Sequence, residues 1–288
     1  MIKSYLFGGI GNQLFQYIAA LQLADLSKKK IVFDYGLIYG FRSYHKSKIY
    51  DLFNFKKNTI FFNNEFTIRN KFFLKIKIYY LNLLRRFNLS KNIICEKNFF
   101  DLSKKNIKIQ QYGYFQDLKF IQIKLKKLKK ILVFKKKFYQ IKNYKIIINN
   151  RNSVSIHIRG GDYLSRKSKK KYLVLNEKYY KKAILLIKKK IKNPFFFIFT
   201  NDINYSTLII KKVLKKEKFQ FINDATDCHD FFLMSQCKNF IISNSTFSWW
   251  ASYLSSNKKK IIICPKKWFV KNIDNINNNL TLKSWIKI

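Results

Sequence analysis

The sequence predicts an α/β protein with parallel sheets in both halves of the chain. Three observations lead there. Short apolar runs rich in β-branched and aromatic residues alternate with segments of helical period. The 288 residues suit two medium domains. Apolar residues make up 48% of the chain, enough to give each half a packed core rather than a disordered state.

Taken in order, "IKSYLF" reads as a strand, "GGIGNQ" as a loop, "LFQYIAALQLADLSKKK" as a helix and "IVFDY" as a buried strand. That β-loop-α-β order builds a parallel layer. Residues 41–110 mix Phe, Asn and Lys without a clean period and read only as helices and loops. "QYGYFQDLKFI" (111–121) reads as a strand or loop leading into a helix. Residues 120–147 have a helical period with a basic face. They read as a solvated surface helix before a linker, or as an amphipathic helix touching anionic lipid. "NNRN" at 149–152 marks the boundary, giving domains 1–148 and 149–288. Beyond it, "SVSIHI", "PFFFIFT", "FQFIND", "NFIIS" and "KKIIICP" are strands. Between them lie helices at 176–193, "INYSTLIIKKVLKK" and "CHDFFLMSQC", with a loop-to-helix turn at "STFSWWASYLS". Strands alternating with helices at this spacing make a doubly wound sheet.

The formal charge of +44, from 59 basic and 15 acidic residues, favours contact with anionic partners. Its main cause is a bias toward Lys, Ile, Asn, Phe and Tyr, whose codons are A/T-rich. Against that background the disfavoured residues carry information. There are seven arginines and eight glycines, and five of the glycines fall in two clusters: Gly8, Gly9, Gly11 and Gly160, Gly161. The four cysteines, at 95, 228, 237 and 264, form no C-x-x-C pair and read as buried free thiols in a reducing compartment. The N-terminus has no apolar h-region and no run approaches a bilayer span, so a cytoplasmic location is expected, with peripheral contact at the inner face of the membrane as an added option.

Four features lie where strands end and helices begin, the ligand side of an open α/β sheet. Gly8-Gly9-Ile10-Gly11-Asn12-Gln13 allows close backbone approach with amide groups beside it. It lacks the G-x-G-x-x-G spacing, and a simple turn before a helix explains it as well. His157-Ile158-Arg159-Gly160-Gly161-Asp162 presents a guanidinium fork suited to a phosphate pair. Asp162 is placed to orient Arg159, cap the next helix or act on substrate. Asn244, Ser245, Thr246 and Ser248 put hydroxyls at a helix start, a natural diphosphate cradle, although plain N-capping needs only one of them. Trp249 and Trp250 beside them read as core. Asp224, Asp227 and Asp230 form an acidic series at a helix start. No D-x-D occurs, so a metal-bound diphosphate has little support and no metal ligands are expected.

"GGIGNQLFQYIAA", "GYFQD", "SIHIRGGDYL", "FTND", "DFFLMSQCKNFIISNSTFSWWASYL" and "CPKKWF" follow one another in this order. Together they resemble the motifs of the bacterial α-1,2-fucosyltransferases, glycosyltransferase family 11, over nearly the whole chain. The resemblance implies a GT-B architecture, two Rossmann-like domains facing across a cleft. It also implies inverting, metal-independent transfer of L-fucose from GDP-β-L-fucose to O2 of a terminal galactose on an oligosaccharide or lipid-linked glycan, as in surface polysaccharide assembly. It gives Arg159 the diphosphate, His157 and Asp230 the guanine, and Ser245, Thr246 and Ser248 the phosphates. Gly11, Asn12 and Gln13 would face the donor from the other half. The general base stays open among Asp162, Asp34, Asp117 and the β-phosphate. One residue departs from the pattern: Gly160 stands where a second consecutive arginine is usual. A GT-B enzyme using another nucleotide sugar or linkage remains an alternative. A nucleic-acid binder does not fit, because the lysines spread throughout and no RRM, KH or zinc-finger motif appears.

Overall fold

The structure, a computed structural model, describes residues 1–40, 48–55, 59–62, 71–88, 92–101, 109–125, 127–150, 152–222, 226–270 and 279–288. Asp224 and Arg151 lie outside the described residues. The chain divides into two compact units, Met1–Val133 and Phe134–Ile288.

The first unit holds a five-stranded parallel sheet. Its spatial order is Ile60–Phe62, Ile31–Asp34, Ile2–Tyr5, Ile109–Gln111, Ile93–Ile94. Two of these strands, Ile60–Phe62 and Ile93–Ile94, lie within the stretch read as helices and loops, and Ile109–Gln111 straddles its end. Strands of two or three residues are too short to display a period of two, so the sequence pattern hides them. The expected loop at 8–13 is shorter in the structure. Gly8 turns the chain alone with φ +76°, and the helix Ile10–Ser27 takes in Gly11, Asn12 and Gln13 in its first turn.

The second unit holds a six-stranded sheet, again all parallel: Phe219–Ile222, Phe195–Thr200, Ser153–Ile158, Asn239–Ile241, Ile262–Cys264, Ile286–Lys287. Numbered in chain order these run 3-2-1-4-5-6, the doubly wound Rossmann order. Ser153–Ile158 lies in the middle with every residue buried, including the small or polar Ser153, Ser155 and His157 that alternate with Val154, Ile156 and Ile158. Val154, Ile156 and Ile158 pack with Ile184, Ile187, Phe196 and Ile198 in the core of this unit.

The division falls at 133/134, earlier than the expected 148/149, and packing explains the difference. The rings of Phe134, Phe138, Tyr139 and Tyr144 surround Phe232 at centroid distances of 5.0–5.6 Å, so residues 134–149 are anchored in the second unit. The same anchoring breaks the long basic helix expected over 120–147. The segment forms short pieces at Gln122–Leu125, Leu128–Ile131 and Lys142–Asn149, with a 3₁₀ turn at Lys136–Gln140. All four cysteines are free and buried. Among the described residues no helix is long and apolar enough to cross a membrane.

Candidate functional site

In the second unit the strand order reverses between Ser153–Ile158 and Asn239–Ile241. Crevices at such reversals, beyond the carboxyl ends of the strands, are where open α/β sheets bind ligands. His157 sits near the end of the first of these strands. Its Nδ1 lies 2.7 Å from Ser243 Oγ, just past the second. Its ring stacks on Phe247 (5.6 Å, 27°), and Phe247 meets Phe231 edge to face (5.2 Å, 86°). Burial, and then the charge of Arg159, push the His157 pKa down to about 3. The imidazole is therefore neutral at working pH, with one nitrogen committed to Ser243.

The turn after this strand is fastened from outside. The Gly160 N–H donates to Asn201 Oδ1 (3.0 Å) and the Gly161 N–H to Asp202 Oδ2 (2.9 Å). Asp202 also caps the helix Ile203–Val213 by accepting the Tyr205 N–H, and these N–H bonds hold its carboxyl below the usual range. Both glycines are sterically required. Gly161 has φ +54°, and a Cβ on Gly160 would fall 2.7 Å from Asp202 Cβ and 3.0 Å from Tyr205 Cδ1. The Gly160 backbone is thus packed against the next strand end.

Arg159 leaves the strand ahead of this turn. Its Nη2 pairs with Asp162 Oδ1 at 2.7 Å, and its guanidinium lies over the Tyr163 ring at 5.2 Å. Its Nε is buried with no hydrogen-bond partner. A buried guanidinium N–H without an acceptor is costly, and an anion would relieve it. Tyr163 itself is held by stacking on Tyr172 (4.5 Å, 12°) and donates its hydroxyl to the Asn244 carbonyl (3.2 Å).

The third feature divides by role. Asn244 donates both amide hydrogens, to the Leu173 and Trp268 carbonyls at 2.8 Å each, so it fastens loops together. Ser248 is buried and its hydroxyl donates to the Ser245 carbonyl at 3.2 Å. Ser245 is the N-cap of the helix Thr246–Leu254 yet makes no side-chain cap bond. Ser165, Asn176, Asp202 and Thr226 all accept such a bond at their own helices. Trp249 and Trp250 are fully buried, as core residues.

Asp227 and Asp230 occupy the first turn of the helix Asp227–Gln236, whose cap is Thr226. Asp230 is half-buried and directly precedes Phe231, which connects this helix through Phe247 to His157. The structure therefore gathers His157, Arg159, Asp162, Ser245 and Thr246 at one end of the sheet, with Asp230 on the adjoining helix. Sequence reasoning missed Ser243, Phe247 and Tyr163, and assigned no role to Asn201 and Asp202, although "FTND" had drawn attention to the last two.

The first unit has a parallel arrangement with the polarity turned inward. Gln13 is buried; its amide donates to the Gly8 carbonyl (2.8 Å) and accepts the Ile49 N–H (3.0 Å). Gln16 accepts the Phe7 N–H (2.9 Å), and Asn12 Oδ1 accepts from Gln116 (2.9 Å). Asp34 is buried, paired with Lys3 at 2.6 Å and accepting the Gly36 N–H. Asp117 is buried and caps the turn Leu118–Phe120. Among the described residues no group of three or more His, Cys, Asp or Glu is placed to hold a metal ion. An open depression of about 430 Å³ in the second unit lies at the opposite end of the sheet, where strands begin, among Asn152, Lys192, Lys238, Asn257 and Lys259; no candidate-site side chain lines it.

The family model of glycosyl transferase family 11 matches residues 1–288. The chain is 30% identical to the O-antigen biosynthesis glycosyltransferase WbnK of Escherichia coli, over 99% of each protein. It is 28% identical to an alpha-1,2-colitosyltransferase of Escherichia coli, over 93% of this chain and 92% of that one. Among solved structures, a mutant of Arabidopsis thaliana FUT1 in complex with GDP superposes with a TM-score of 0.55 at 11% identity, covering 91% of this chain and 69% of that one. The NodZ alpha-1,6-fucosyltransferase co-crystallised with GDP gives 0.53 at 11%, covering 88% and 90%. These likenesses give the fold class as GT-B.

Proposed function

The chain belongs to glycosyl transferase family 11 and is a glycosyltransferase, and from that premise we propose that it moves L-fucose from GDP-β-L-fucose to O2 of a terminal galactose, with inversion and without a metal ion. The observation that carries this reading is Arg159, whose Nε is buried without an acceptor, together with Ser245, an N-cap past the neighbouring strand end that makes no side-chain cap bond. Both are groups that a diphosphate would satisfy. The homologue in O-antigen biosynthesis supports a glycan acceptor of the surface-polysaccharide kind.

In the proposed reaction the acceptor O2 attacks C1 of fucose as the C1–O bond to the β-phosphate breaks, and GDP leaves with the bonding electrons. Arg159, the Ser245 and Thr246 hydroxyls and the N–H groups opening their helix stabilise the negative charge that develops. A positioned donor of this kind is worth about 2.7–4 kcal/mol. Neutral His157, its Nδ1 committed to Ser243, offers Nε2 to the guanine edge, and Asp230 accepts from the guanine N–H groups. Asn244 and Ser248 act from behind, fixing the loop and helix that carry Ser245. Gly11, Asn12 and Gln13 shape the turn of the first unit, with Asn12 the half-buried one of the three.

The proton leaving O2 needs a base. Asp34 and Asp117 are buried and engaged in local structure, whereas the Asp162 side chain is 54% exposed. An arriving diphosphate competes with Asp162 for Arg159 and frees that carboxylate, which makes Asp162 the base of this proposal.

Calorimetry with GDP in the presence of EDTA tests the metal-free site: saturable binding is expected, and binding only after Mg²⁺ is added overturns it. The donor is tested by a screen of GDP-linked deoxysugars with a β-galactoside acceptor, reading the linkage of the product. The homologous alpha-1,2-colitosyltransferase favours a second reading in which the transferred sugar is colitose. Turnover with that donor and none with GDP-fucose would replace the first reading by the second.

A further inference from the structure

The helix Lys71–Phe87 is apolar on two faces. Leu74, Ile78 and Leu81 face inward and pack with Tyr5, Phe7, Leu37, Ile93 and Tyr112. On the other side Phe72, Phe73, Tyr79 and Tyr80 are 68%, 64%, 68% and 59% exposed, joined by Ile76 and Phe87. At 3.6 residues per turn these outer residues fall within an arc of about 120°. A stripe that wide normally faces a core. Isolated exposed apolar residues need no explanation, but a contiguous aromatic stripe marks an interaction surface.

Charge decides the occupant. The helix carries no acidic residue. Lys75 and Arg86 are exposed along one shoulder of the stripe, with the Arg86 guanidinium over the Phe87 ring at 5.5 Å. Exposed Lys97 attaches to the helix end through the Arg86 carbonyl (2.8 Å). The nearby acid Glu96 is spent on Arg85, in a two-bond pair at 2.8 and 2.9 Å. A second copy of the chain would bring another formal +44 against this surface and offer no acid on its own helix. A protein or nucleic-acid groove would not match a stripe this apolar with cations only at its rim. Phe and Tyr rings flanked by Lys and Arg suit the boundary between headgroups and acyl chains, and the net charge adds attraction to an anionic leaflet. We propose that the outer face of Lys71–Phe87 docks the protein on an anionic lipid bilayer, with the helix lying in the headgroup plane. The contact falls here rather than on 120–147, whose broken pieces present no continuous face.

Flotation of the full chain with vesicles tests the proposal without donor or acceptor, so it stands or falls separately from the chemistry. Vesicles of phosphatidylcholine with about a third phosphatidylglycerol should carry the protein upward, and pure phosphatidylcholine far less. Combining Phe72→Ser, Phe73→Ser, Tyr79→Ser and Tyr80→Ser should lower the partition coefficient about tenfold or more, while Leu185→Ser with Leu208→Ser, exposed apolar residues of the second unit, should leave it unchanged. Undiminished binding by the combined variant overturns the proposal. So does a wild-type dimer in sedimentation velocity that the same variant dissolves. If the combined variant misfolds, Tyr80→Trp supplies the readout in a chain whose four native tryptophans are all buried. Its emission should shift to the blue and resist acrylamide quenching when anionic vesicles are added; no change overturns the docking face.

Discussion

Two glycine pairs, Gly8–Gly9 and Gly160–Gly161, each follow the first strand of a parallel sheet at the place where strand order reverses. Each contains one residue with positive φ, +76° at Gly8 and +54° at Gly161. The fastening differs. The first turn is closed by side chains of the helix it opens: Gln13 on Gly8 and Ile49, Gln16 on Phe7. The second is closed by Asn201 and Asp202, from the end of a neighbouring strand. Where a turn fastens itself, its polar side chains are consumed. Where a neighbour fastens it, Arg159 keeps an uncommitted N–H. The same backbone device thus gives a structural corner in one unit and a candidate anion site in the other.

The largest test of that contrast is Arg159→Lys. A point charge replaces the planar fork, and turnover should fall about 100- to 1000-fold with the melting temperature nearly unchanged. Near-normal turnover would remove Arg159 from the reaction and erase the contrast. The mirror experiment is Gln13→Ala, which leaves the Ile49 N–H and the Gly8 carbonyl without partners. Denaturant titration should show a loss of about 1–3 kcal/mol, with GDP affinity intact. A variant that keeps its stability but loses GDP affinity would put a ligand contact in the first turn instead.

An effect spread over pH follows from His157. Its folded pKa is about 3 against an ordinary 6.5. Between these values the unfolded chain binds a proton that the folded chain refuses, so stability rises with pH through the window and is lost as pH falls. The slope from this residue approaches about 1.4 kcal/mol per pH unit. Unfolding of His157→Asn, measured from pH 7 to pH 4, should be shallower than wild type by up to that amount; identical slopes would mean that the ring takes up a proton in the folded state. The smallest effect is expected at Ser245. An N-cap serine commonly contributes about 1 kcal/mol, but this one makes no cap bond. Ser245→Ala should cost less than about 0.5 kcal/mol of stability while weakening GDP about five- to tenfold, the worth of one hydrogen bond. A full capping loss with unchanged GDP affinity would make it an ordinary cap.

Much of the second unit was legible in the sequence because its longer strands are buried on both faces and bounded by turn residues. "PFFFIFT" shows that pattern as a continuous apolar run, while "SVSIHI" is legible from its alternation of small or polar with β-branched residues, and both fall within a residue or two of the observed strands. The two-residue strand Ile286–Lys287 was not legible, since its pairing with Ile262–Cys264 leaves no local signature. In the site, composition singled out His157, Arg159 and the glycines, because each runs against the lysine-rich background. It could not separate Ser245 from Ser248, or assign Asn244 to fastening loops, because both distinctions depend on burial and on carbonyls supplied by distant residues. The helical period at 120–147 misled for a related reason: rings packing around Phe232 outweighed local periodicity.

Gly160 ties two distant positions together. Asp202 and Tyr205 stand against its bare backbone at a distance that leaves no room for a side chain. An arginine installed there would meet Asp202, and removing Asp202 would uncap a helix and release Gly161. Positions 160 and 202 are therefore interlocked: a side chain at the first needs a change at the second, and that change loosens both the turn and the helix beside it.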